Sequence, residues 1–209
     1  MTTSYEEIRD RHTLIYDQLA TEYDERVPML AAISKASIDN FIPHLQGPKV
    51  LDVGCGAGGV MEIINSLGLS ADGIDISSQM VKIASRRNPS SAVFCEDILD
   101  FSGTGYNGIV AFALIHLFPK PKALEVLSKM HSILAEGGVM FIGSTSESES
   151  DEGFLPKLDY SGAPERFRKR WTQAEVEVSF QDSGFSILEV EEHHDPYGKI
   201  WLDYVLRKM

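Results

Sequence analysis

The N-terminal part of the chain carries apolar side chains at a helical spacing. In residues 4–43 the apolar positions recur at roughly helical spacing and continue, more loosely, to Phe41. The members of this series are Ile8, Leu14, Ile15, Tyr16, Leu19, Tyr23, Met29, Leu30, Ile33 and Ala36. Such spacing predicts helices with one apolar face. Gly47-Pro48 ends the block, because glycine and proline interrupt regular structure.

From Lys49 onward, short apolar runs alternate with amphipathic stretches. We predict strands over residues 49–53, 71–76, 92–95, 108–114 and 139–143. Helices are predicted over 58–67 and 122–134, and another runs from its N-cap Ser77 to about residue 88. The alternation indicates an α/β fold with a doubly wound, mainly parallel sheet that helices cover on both faces.

The alternation ends at residue 143. Residues 144–153, STSESESDEG, are polar and acidic and predict a mobile loop, whereas residues 164–171, PERFRKRW, form a basic and aromatic segment. A last helix is predicted over 173–183. The strand-like runs 185–190 and 200–206 flank Asp195-Pro196-Tyr197-Gly198, which favours a β-turn, so we expect a terminal antiparallel hairpin.

Length and composition narrow the class of protein. The 209 residues suit one domain, and the net charge of −12 argues against a nucleic-acid partner. No apolar stretch approaches the roughly 20 residues of a membrane span, and the polar N-terminus does not resemble a signal peptide, so we expect a cytoplasmic protein. Cys55 and Cys95 lie far apart without the spacing of a zinc site, and we expect reduced thiols and no bound metal.

A glycine-rich turn follows the first predicted strand directly. The segment VLDVGCGAGG, residues 50–59, contains the pattern G-x-G-x-x-G from Gly54 to Gly59. Glycines let the backbone turn tightly and approach a ligand, and ligands of such sheets bind at the carboxyl ends of the strands. Asp75 ends the second predicted strand, where a carboxylate can accept from ribose hydroxyls. NAD and S-adenosylmethionine (SAM) both contain an adenosine, so these features leave both ligands open.

Two further acidic residues separate the two ligands. Asp52 lies two residues before Gly54, where it would repel a diphosphate but attract the cationic amino-acid end of SAM. Asp97 follows the third predicted strand and offers an acceptor for the adenine amine. A long helical segment also precedes the first strand, whereas dinucleotide folds often begin with that strand. Together these features favour SAM as the cofactor.

Several motifs in combination resemble the class I SAM-dependent methyltransferases over nearly the whole chain. They are VLDVGCGAGG (50–59), GIDISSQMV (73–81), EDI (96–98), AFALIHLFP (111–119) and LAEGGV (134–139), and YDQLATEYD (16–24) is similar to a segment before the core of many small-molecule members. The resemblance implies a Rossmann-like seven-stranded sheet whose final hairpin is antiparallel. We divide the single domain, 1–209, into an N-terminal helical cap or lid (1–46), a cofactor-binding core (47–143), a lid insertion (144–171) and a C-terminal helix and hairpin (172–209).

The resemblance also implies the cofactor contacts, position by position. The methionine part of SAM is contacted by Asp52, Gly54 and Gly56, and the ribose by Asp75. The adenine is contacted by Ile76, Met80, Asp97 and Ile98, and the cofactor is covered from above by Tyr16 and Tyr23. Ordinary core packing is the alternative for Met80 and for the two tyrosines, which share a helix face.

The residues predicted to bind the methyl acceptor lie after the fourth strand and in the lid insertion. His116 is the candidate base or substrate contact, with a structural histidine as the alternative. The substrate-binding candidates of the insertion are Tyr160, Arg166, Arg168, Arg170 and Trp171. An arginine fork suits a carboxylate or phosphate, and a solvated surface cluster is the alternative. His193 and His194 are expected to be exposed.

The sequence thus predicts an enzyme, monomeric or homodimeric, that transfers a methyl group from SAM to a small-molecule acceptor. The acceptor atom is expected to be oxygen or nitrogen, for example of a carboxylate or phenol, and the reaction an in-line displacement. Such a displacement depends mainly on positioning, which agrees with the lack of an obvious catalytic dyad. The alternatives are a SAM-binding protein without catalysis and, less favoured, an NAD-dependent oxidoreductase.

Overall fold

Nine strands and five α-helices lie in the part of the chain that the structure, a computed structural model, describes: residues 3–195 and 198–209. The helices are α1 (Tyr5–Phe41), α2 (Gly59–Ser66), α3 (Ser78–Arg87), α4 (Lys120–Ile133) and α5 (Gln173–Asp182). The strands are β1 (Lys49–Val53), β2 (Ser70–Asp75), β3 (Val93–Cys95), β4 (Tyr106–Phe112), β5 (Leu134–Thr145), β6 (Asp151–Pro156), β7 (Glu165–Arg170), β8 (Phe185–His194) and β9 (Ile200–Lys208). Every strand and helix expected after residue 48 is present, with shifted ends, and β6 and β7 are additional.

Seven strands form one sheet in the order β3-β2-β1-β4-β5-β9-β8. Strands β1 to β5 pair in parallel, and β9 runs antiparallel to both β5 and β8. The predicted doubly wound, mainly parallel sheet with an antiparallel terminal hairpin is therefore confirmed. The strand order reverses between β1 and β4, which is where open α/β sheets bind their ligands. Pro196 and Tyr197, in the turn expected between β8 and β9, lie outside the described residues.

Alternate residues of the central strands face two separate hydrophobic clusters. In β4, Ile109 and Ala111 belong to one cluster and Val110 belongs to the other. The first cluster includes Leu127 of α4 and Phe180 of α5, and the second includes side chains of α1, α2 and α3. Because successive side chains of a strand point to opposite faces, the helices cover both faces of the sheet. The edge at the carboxyl ends of the strands is left for a ligand.

The N-terminal segment forms one helix of 37 residues where the apolar pattern predicts helices. Ser4 caps α1, since its hydroxyl accepts from the backbone N–H of Glu7. Pro28 lies inside the helix without ending it. Helix α1 packs against α2 and α3, and the neighbouring Val27 is buried. This packing outweighs the backbone hydrogen bond that a proline removes from a helix.

The predicted acidic loop is wrong at both of its ends. Strand β5 continues to Thr145, and β6 begins at Asp151, so only residues 146–150 lie between the two strands. Strands β6 and β7 pair antiparallel, with Asp151 opposite Arg170 and Glu152 opposite Lys169. Opposite charges that face each other across a strand pair are stabilising. The acidic and the basic segments, which the sequence shows separately, therefore join into a small two-stranded sheet.

None of the helices within residues 3–195 and 198–209 has a stretch both long and apolar enough to cross a bilayer. The expected cytoplasmic location and the monomeric or dimeric state stay predictions.

Candidate active site

The glycine turn connects β1 to α2 at the point where the strand order reverses. Gly54, Gly56 and Gly58 have φ values of +73°, +51° and +79°, a region that side chains other than glycine rarely adopt. The backbone N–H of Gly54 and that of Cys55 both donate to the carbonyl oxygen of Ile74 in β2. A Cβ on Gly56 would meet no atom within 4 Å, so this part of the turn borders open space. The turn therefore forms a backbone wall beside a cavity.

Asp75 holds the glycine turn and also lines the cavity beside it. Its Oδ2 accepts from the backbone N–H of Gly56 at 2.9 Å, and its Oδ1 accepts from that of Ser77 at 2.8 Å. Burial raises the pKa of Asp75, and these two backbone bonds oppose the rise. Two of its lone-pair sites are thus occupied, and the remaining ones are available to a ligand.

Asp52 is a buried carboxyl at the end of β1, only 2% exposed. Its Oδ2 has no hydrogen-bond partner among the described residues. Burial and, secondly, the nearby Asp75 raise the pKa of Asp52 to about 8. A cation bound close to Asp52 would favour its ionised form, since a buried carboxylate without a partner is costly.

Asp97 also lines the cavity beside the glycine turn. Its Oδ1 accepts from the backbone N–H of Leu99 at 3.0 Å, and its Oδ2 accepts from the hydroxyl of Tyr5 at 2.6 Å. Tyr5 was not predicted, and neither were Arg9 and His12, which also line the cavity. Their signal is present in the sequence, because residues 5, 9, 12 and 16 are spaced four, three and four apart on one face of α1.

Two cavities lie along the carboxyl ends of the strands. The first measures about 130 Å³ and the second about 280 Å³. The first is lined by all the predicted cofactor contacts except Asp52: Tyr16, Tyr23, Gly54, Gly56, Asp75, Ile76, Met80, Asp97 and Ile98. The two cavities share six lining residues, Tyr16, Tyr23, Gly54, Gly56, Phe112 and Ala113. They are therefore neighbouring chambers, and we call them the first and the second chamber.

The small β6–β7 sheet and the segment between its strands close the second chamber against α1. The rings of Tyr23 and Tyr160 stack with their centroids 4.5 Å apart, and Tyr16 meets Tyr23 edge to face at 5.8 Å. A guanidinium N–H of Arg166 donates to the hydroxyl of Tyr16. The backbone N–H of Ser161 and a carboxylate oxygen of Glu22 in α1 form a further hydrogen bond of 3.1 Å. The predicted lid tyrosines thus lie where the two chambers meet.

His116 and His193 both line the second chamber. His116 is only 2% exposed, its Nδ1 has no partner among the described residues, and burial together with nearby cations holds its pKa well below the ordinary value. The expected exposed position of His193 is wrong, because its ring is stacked on Trp201 and its Nδ1 lies 3.6 Å from the buried carboxylate of Asp203. His194 is exposed, as expected.

Lys157 is a buried amine in the wall of the second chamber. Its Nζ lies 3.3 Å from both carboxylate oxygens of Asp159. Burial and, secondly, Arg166 lower the pKa of Lys157 to about 7. The charged and titratable groups around it are Asp159, Arg166, Lys199, and the rings of Tyr160 and Tyr23, at 4.0 and 5.9 Å from Nζ. Its charge therefore changes near neutral pH.

Two of the predicted substrate-binding residues lie outside both chambers. Arg170 is partly exposed and forms an ion pair with Asp151 across the β6–β7 sheet. Trp171 is buried in the core cluster that α4 and α5 cover. The remaining candidates, Tyr160, Arg166 and Arg168, line the second chamber together with His116. No cluster of three or more His, Cys, Asp or Glu side chains able to hold a metal occurs in the described parts of the chain.

Comparison with known families identifies the chain. A family model described as "Methyltransferase domain" matches residues 18–190, which is most of the sequence. The chain belongs to this methyltransferase family. Its resemblance to the class I SAM-dependent methyltransferases is thereby confirmed. The match covers the glycine turn, Asp75, Asp97 and the whole β6–β7 sheet.

Curated relatives of this methyltransferase are similar over part of their length. The ubiquinone biosynthesis O-methyltransferase of Xanthomonas campestris pv. campestris is 27% identical over 111 residues, which are 50% of this chain and 46% of that protein. The protein of the same name from Idiomarina loihiensis is 26% identical over 118 residues, 53% of this chain and 48% of that protein. The chain thus spans about half the length of the curated relatives it matches.

Solved methyltransferases share the fold. The 1,6-didemethyltoxoflavin-N1-methyltransferase of Burkholderia thailandensis, solved with 1,6-didemethyltoxoflavin and S-adenosylhomocysteine (SAH), has a TM-score of 0.82 and 16% identity, covering 100% of this chain and 92% of that one. The magnesium protoporphyrin IX methyltransferase of Synechocystis PCC 6803, solved with SAM, has a TM-score of 0.62 and 18% identity, covering 90% and 80% of the two chains. At such identities the likeness concerns the fold alone.

The residues of the first chamber, together with Asp52 at the end of β1, suit SAM in their chemistry. The unpaired Oδ2 of Asp52 offers a counterion for an ammonium group, and a side chain at Gly56 would project into the open space beside the turn. Asp75 and Asp97 each keep lone pairs for the hydroxyls and the amine of an adenosine. No cationic side chain of the glycine turn is present to hold a diphosphate, which agrees with a cofactor that has none.

Proposed function

We propose that this methyltransferase transfers the methyl group of SAM to an oxygen or nitrogen atom of a small molecule held in the second chamber. The observation that carries the proposal is the junction of the two chambers at Gly54, Gly56 and Ala113. A cofactor in the first chamber and an acceptor in the second would meet there. In-line displacement requires the acceptor atom close to the methyl carbon, and effective molarity from such positioning supplies much of the rate.

The chain's own side chains then bind and orient the two partners. When bound, SAM supplies an electrophilic methyl group on a sulfonium. Asp75 is proposed to accept from the ribose hydroxyls, Asp97 from the adenine amine, and Asp52 to face the ammonium group. Tyr16 and Tyr23 cover the junction from α1, where they help to exclude water.

A neutral imidazole, that of His116, lies in the second chamber, where a hydroxyl acceptor could donate a hydrogen bond to it. His116 is uncharged at neutral pH, because its pKa lies well below the ordinary value. We propose that its unpaired Nδ1 accepts a hydrogen bond from the acceptor and orients it. A carboxylate acceptor is already nucleophilic and requires no base.

The names of the relatives support a small molecule as the acceptor. The curated relatives are named for O-methylation in ubiquinone biosynthesis, and the Burkholderia thailandensis enzyme is named an N1-methyltransferase and was solved with 1,6-didemethyltoxoflavin. These names support small-molecule acceptors in general and do not choose between oxygen and nitrogen. The second chamber, at about 280 Å³, is of a size that suits a small molecule rather than a protein segment.

The experiment is a titration followed by a turnover assay. SAM, SAH and NADH are titrated into the purified chain by calorimetry, and SAH release from SAM is then measured over a panel of hydroxylated, carboxylated and aminated small molecules. We expect binding of SAM and SAH but not NADH, and SAH release that depends on an acceptor. Binding of SAM without acceptor-dependent release would support a non-catalytic SAM-binding protein, and binding of NADH alone would support an oxidoreductase.

A further inference from the structure

We propose that the acceptor carries a carboxylate or phosphate group and that Arg166 and Arg168 bind this group in the second chamber. This inference rests on the proposed function, because it names the class of molecule that the second chamber takes. It uses only the walls of that chamber, so it can fail while methyl transfer itself holds.

Arg166 is a buried guanidinium without a carboxylate partner. It is 8% exposed, and one of its guanidinium N–H groups donates to the hydroxyl of Tyr16. No Asp or Glu among the described residues forms an ion pair with it within 4.0 Å. Asp159 favours the charge of Arg166 from beyond ion-pair distance, but a buried charge without a close partner is costly. An anion in the chamber would supply the missing partner.

Arg168 presents a second, partly unused guanidinium beside the first. One of its terminal N–H groups donates to the hydroxyl of Thr145 at 2.6 Å, and Glu147 lies more distantly at 3.7 Å. Its Nε is buried and has no partner among the described residues. A guanidinium presents five N–H donors in a planar fork that matches the oxygens of carboxylates and phosphates. Arg168 therefore keeps donor capacity for such a group.

The two arginines face the chamber from one strand. They are two residues apart in β7, so their side chains leave the same face of the strand, about 7 Å apart along it. Both line the second chamber, and two separated forks can grip different oxygens of one anionic group or molecule.

The charge of the chamber wall is opposite to that of the whole protein. The chain has a net charge of −12, yet five cationic and three acidic side chains line this chamber among the described residues. The cationic ones are Arg26, Lys157, Arg166, Arg168 and Lys199, and the acidic ones are Asp159, Asp195 and Asp203. A concave site with excess positive charge stabilises an anion once it has entered, against the overall negative charge of the chain.

Arg170 offers a matched control on the same strand. It follows Arg168 by two residues and has the same side chain, but it lies outside both chambers and is paired with Asp151. A general effect of removing one positive charge from β7 would be equal for Arg170 and for the two arginines of the chamber. A specific effect on an anion in the chamber would not.

The test measures anion binding to the SAH-loaded protein by calorimetry. Benzoate is the carboxylate probe, phenyl phosphate the phosphate probe, and benzamide the neutral counterpart. We expect at least one anion to bind at millimolar concentration and to bind more than about tenfold more tightly than benzamide. Arg166→Gln and Arg168→Gln are each expected to weaken that anion by about tenfold or more, and Arg170→Gln by less than about twofold.

The outcomes separate the inference from the proposed function. If the wild-type chain does not bind SAH, the proposed function itself is overturned. Retained SAH binding with no binding of either anion, or with equal binding of benzamide, would overturn only the inference. Equal losses in all three arginine variants would also overturn it. Since Arg166 contacts Tyr16, the anion affinity of Arg166→Gln is interpreted only if this variant keeps the SAH affinity and the melting temperature of the wild-type chain. If it does not, the anion affinity of Arg168→Gln, which leaves the contact with Tyr16 intact, decides the test.

Discussion

Asp75→Asn is expected to weaken SAH binding while the fold remains. In the structure the carboxylate of Asp75 accepts from the backbone N–H groups of Gly56 and Ser77 and borders the first chamber. Asparagine keeps the shape and one acceptor oxygen. Its NH₂ group, however, replaces one carboxylate oxygen, so the backbone bond at that oxygen and the acceptor site left there for a ribose hydroxyl are both lost, together with the negative charge.

The size of the effect follows from the number of bonds left for the ribose. A carboxylate has about four lone-pair sites, and the two backbone bonds occupy two of them. Each hydrogen bond to a charged group contributes about 1.5–3 kcal/mol. Loss of one such bond to a ribose hydroxyl therefore predicts a dissociation constant for SAH that is roughly 10 to 150 times higher.

Calorimetric titration with SAH checks this prediction, and Asp72→Asn is the control. Asp72 lies in the same strand and also accepts two hydrogen bonds, from the hydroxyl of Tyr106 and the backbone N–H of Ala92, but it does not line either chamber. We expect Asp72→Asn to bind SAH as the wild-type chain does. An unchanged affinity for Asp75→Asn, or an equal loss in both variants, would refute the placement of the ribose at Asp75.

Three further predictions concern proton release, backbone strain and pH. Because the pKa of Asp52 is raised to about 8, binding of an ammonium group beside it at pH 7 should release up to about one proton per SAH, whereas Asp52→Asn should release none. Calorimetry in buffers of different ionisation enthalpy measures this proton release, and equal release by the two proteins would contradict the placement of the ammonium group at Asp52. Gly58→Ala places a Cβ 2.9 Å from the Cα of Ala84 and should lower the free energy of unfolding by about 1–3 kcal/mol more than the control Gly68→Ala, whose glycine also has a positive φ but no neighbour within 4 Å. Equal midpoints of urea unfolding for the two variants would contradict this prediction. Since the pKa of Lys157 is lowered to about 7, its positive charge is present below that pH and lost above it, so the affinity for benzoate, which stays ionised, should fall between pH 6 and 8. An identical fall in affinity for Lys157→Met would contradict the assignment of this pH dependence to Lys157.

The sheet and most residues that line the first chamber could be predicted because their signals are local in the sequence. The apolar run of β1, the glycine turn and the acidic residue at the end of β2 follow one another along the chain, and the βαβ rule places strand ends on one edge. Asp75, Asp97 and Met80 therefore line the first chamber together. The helix cap at Ser77 could be predicted for the same reason, since a cap depends on a few neighbouring residues.

The lining of the second chamber could be predicted only in part, because it depends on pairings between distant segments: Tyr160, Arg166, Arg168 and His116 line it, whereas Arg170 and Trp171 do not. The acidic residues 151 and 152 gain their strand structure only by pairing with basic residues 169 and 170. That pairing directs Arg166 and Arg168 to the chamber, while Arg170 instead pairs with Asp151. His193 reaches the chamber because β9 brings Asp203 beside it, a contact that sequence alone does not show. Tyr5 was missed although its spacing to Tyr16 on α1 was readable.

A crystal structure of the chain with SAH and benzoate would show whether the two joined chambers form one site. We expect the ribose of SAH against Asp75, the adenine near Asp97, and the benzoate carboxylate against Arg166 and Arg168. The thioether sulfur of SAH should point toward the junction at Ala113. SAH bound away from the glycine turn, or benzoate bound outside the second chamber, would contradict it.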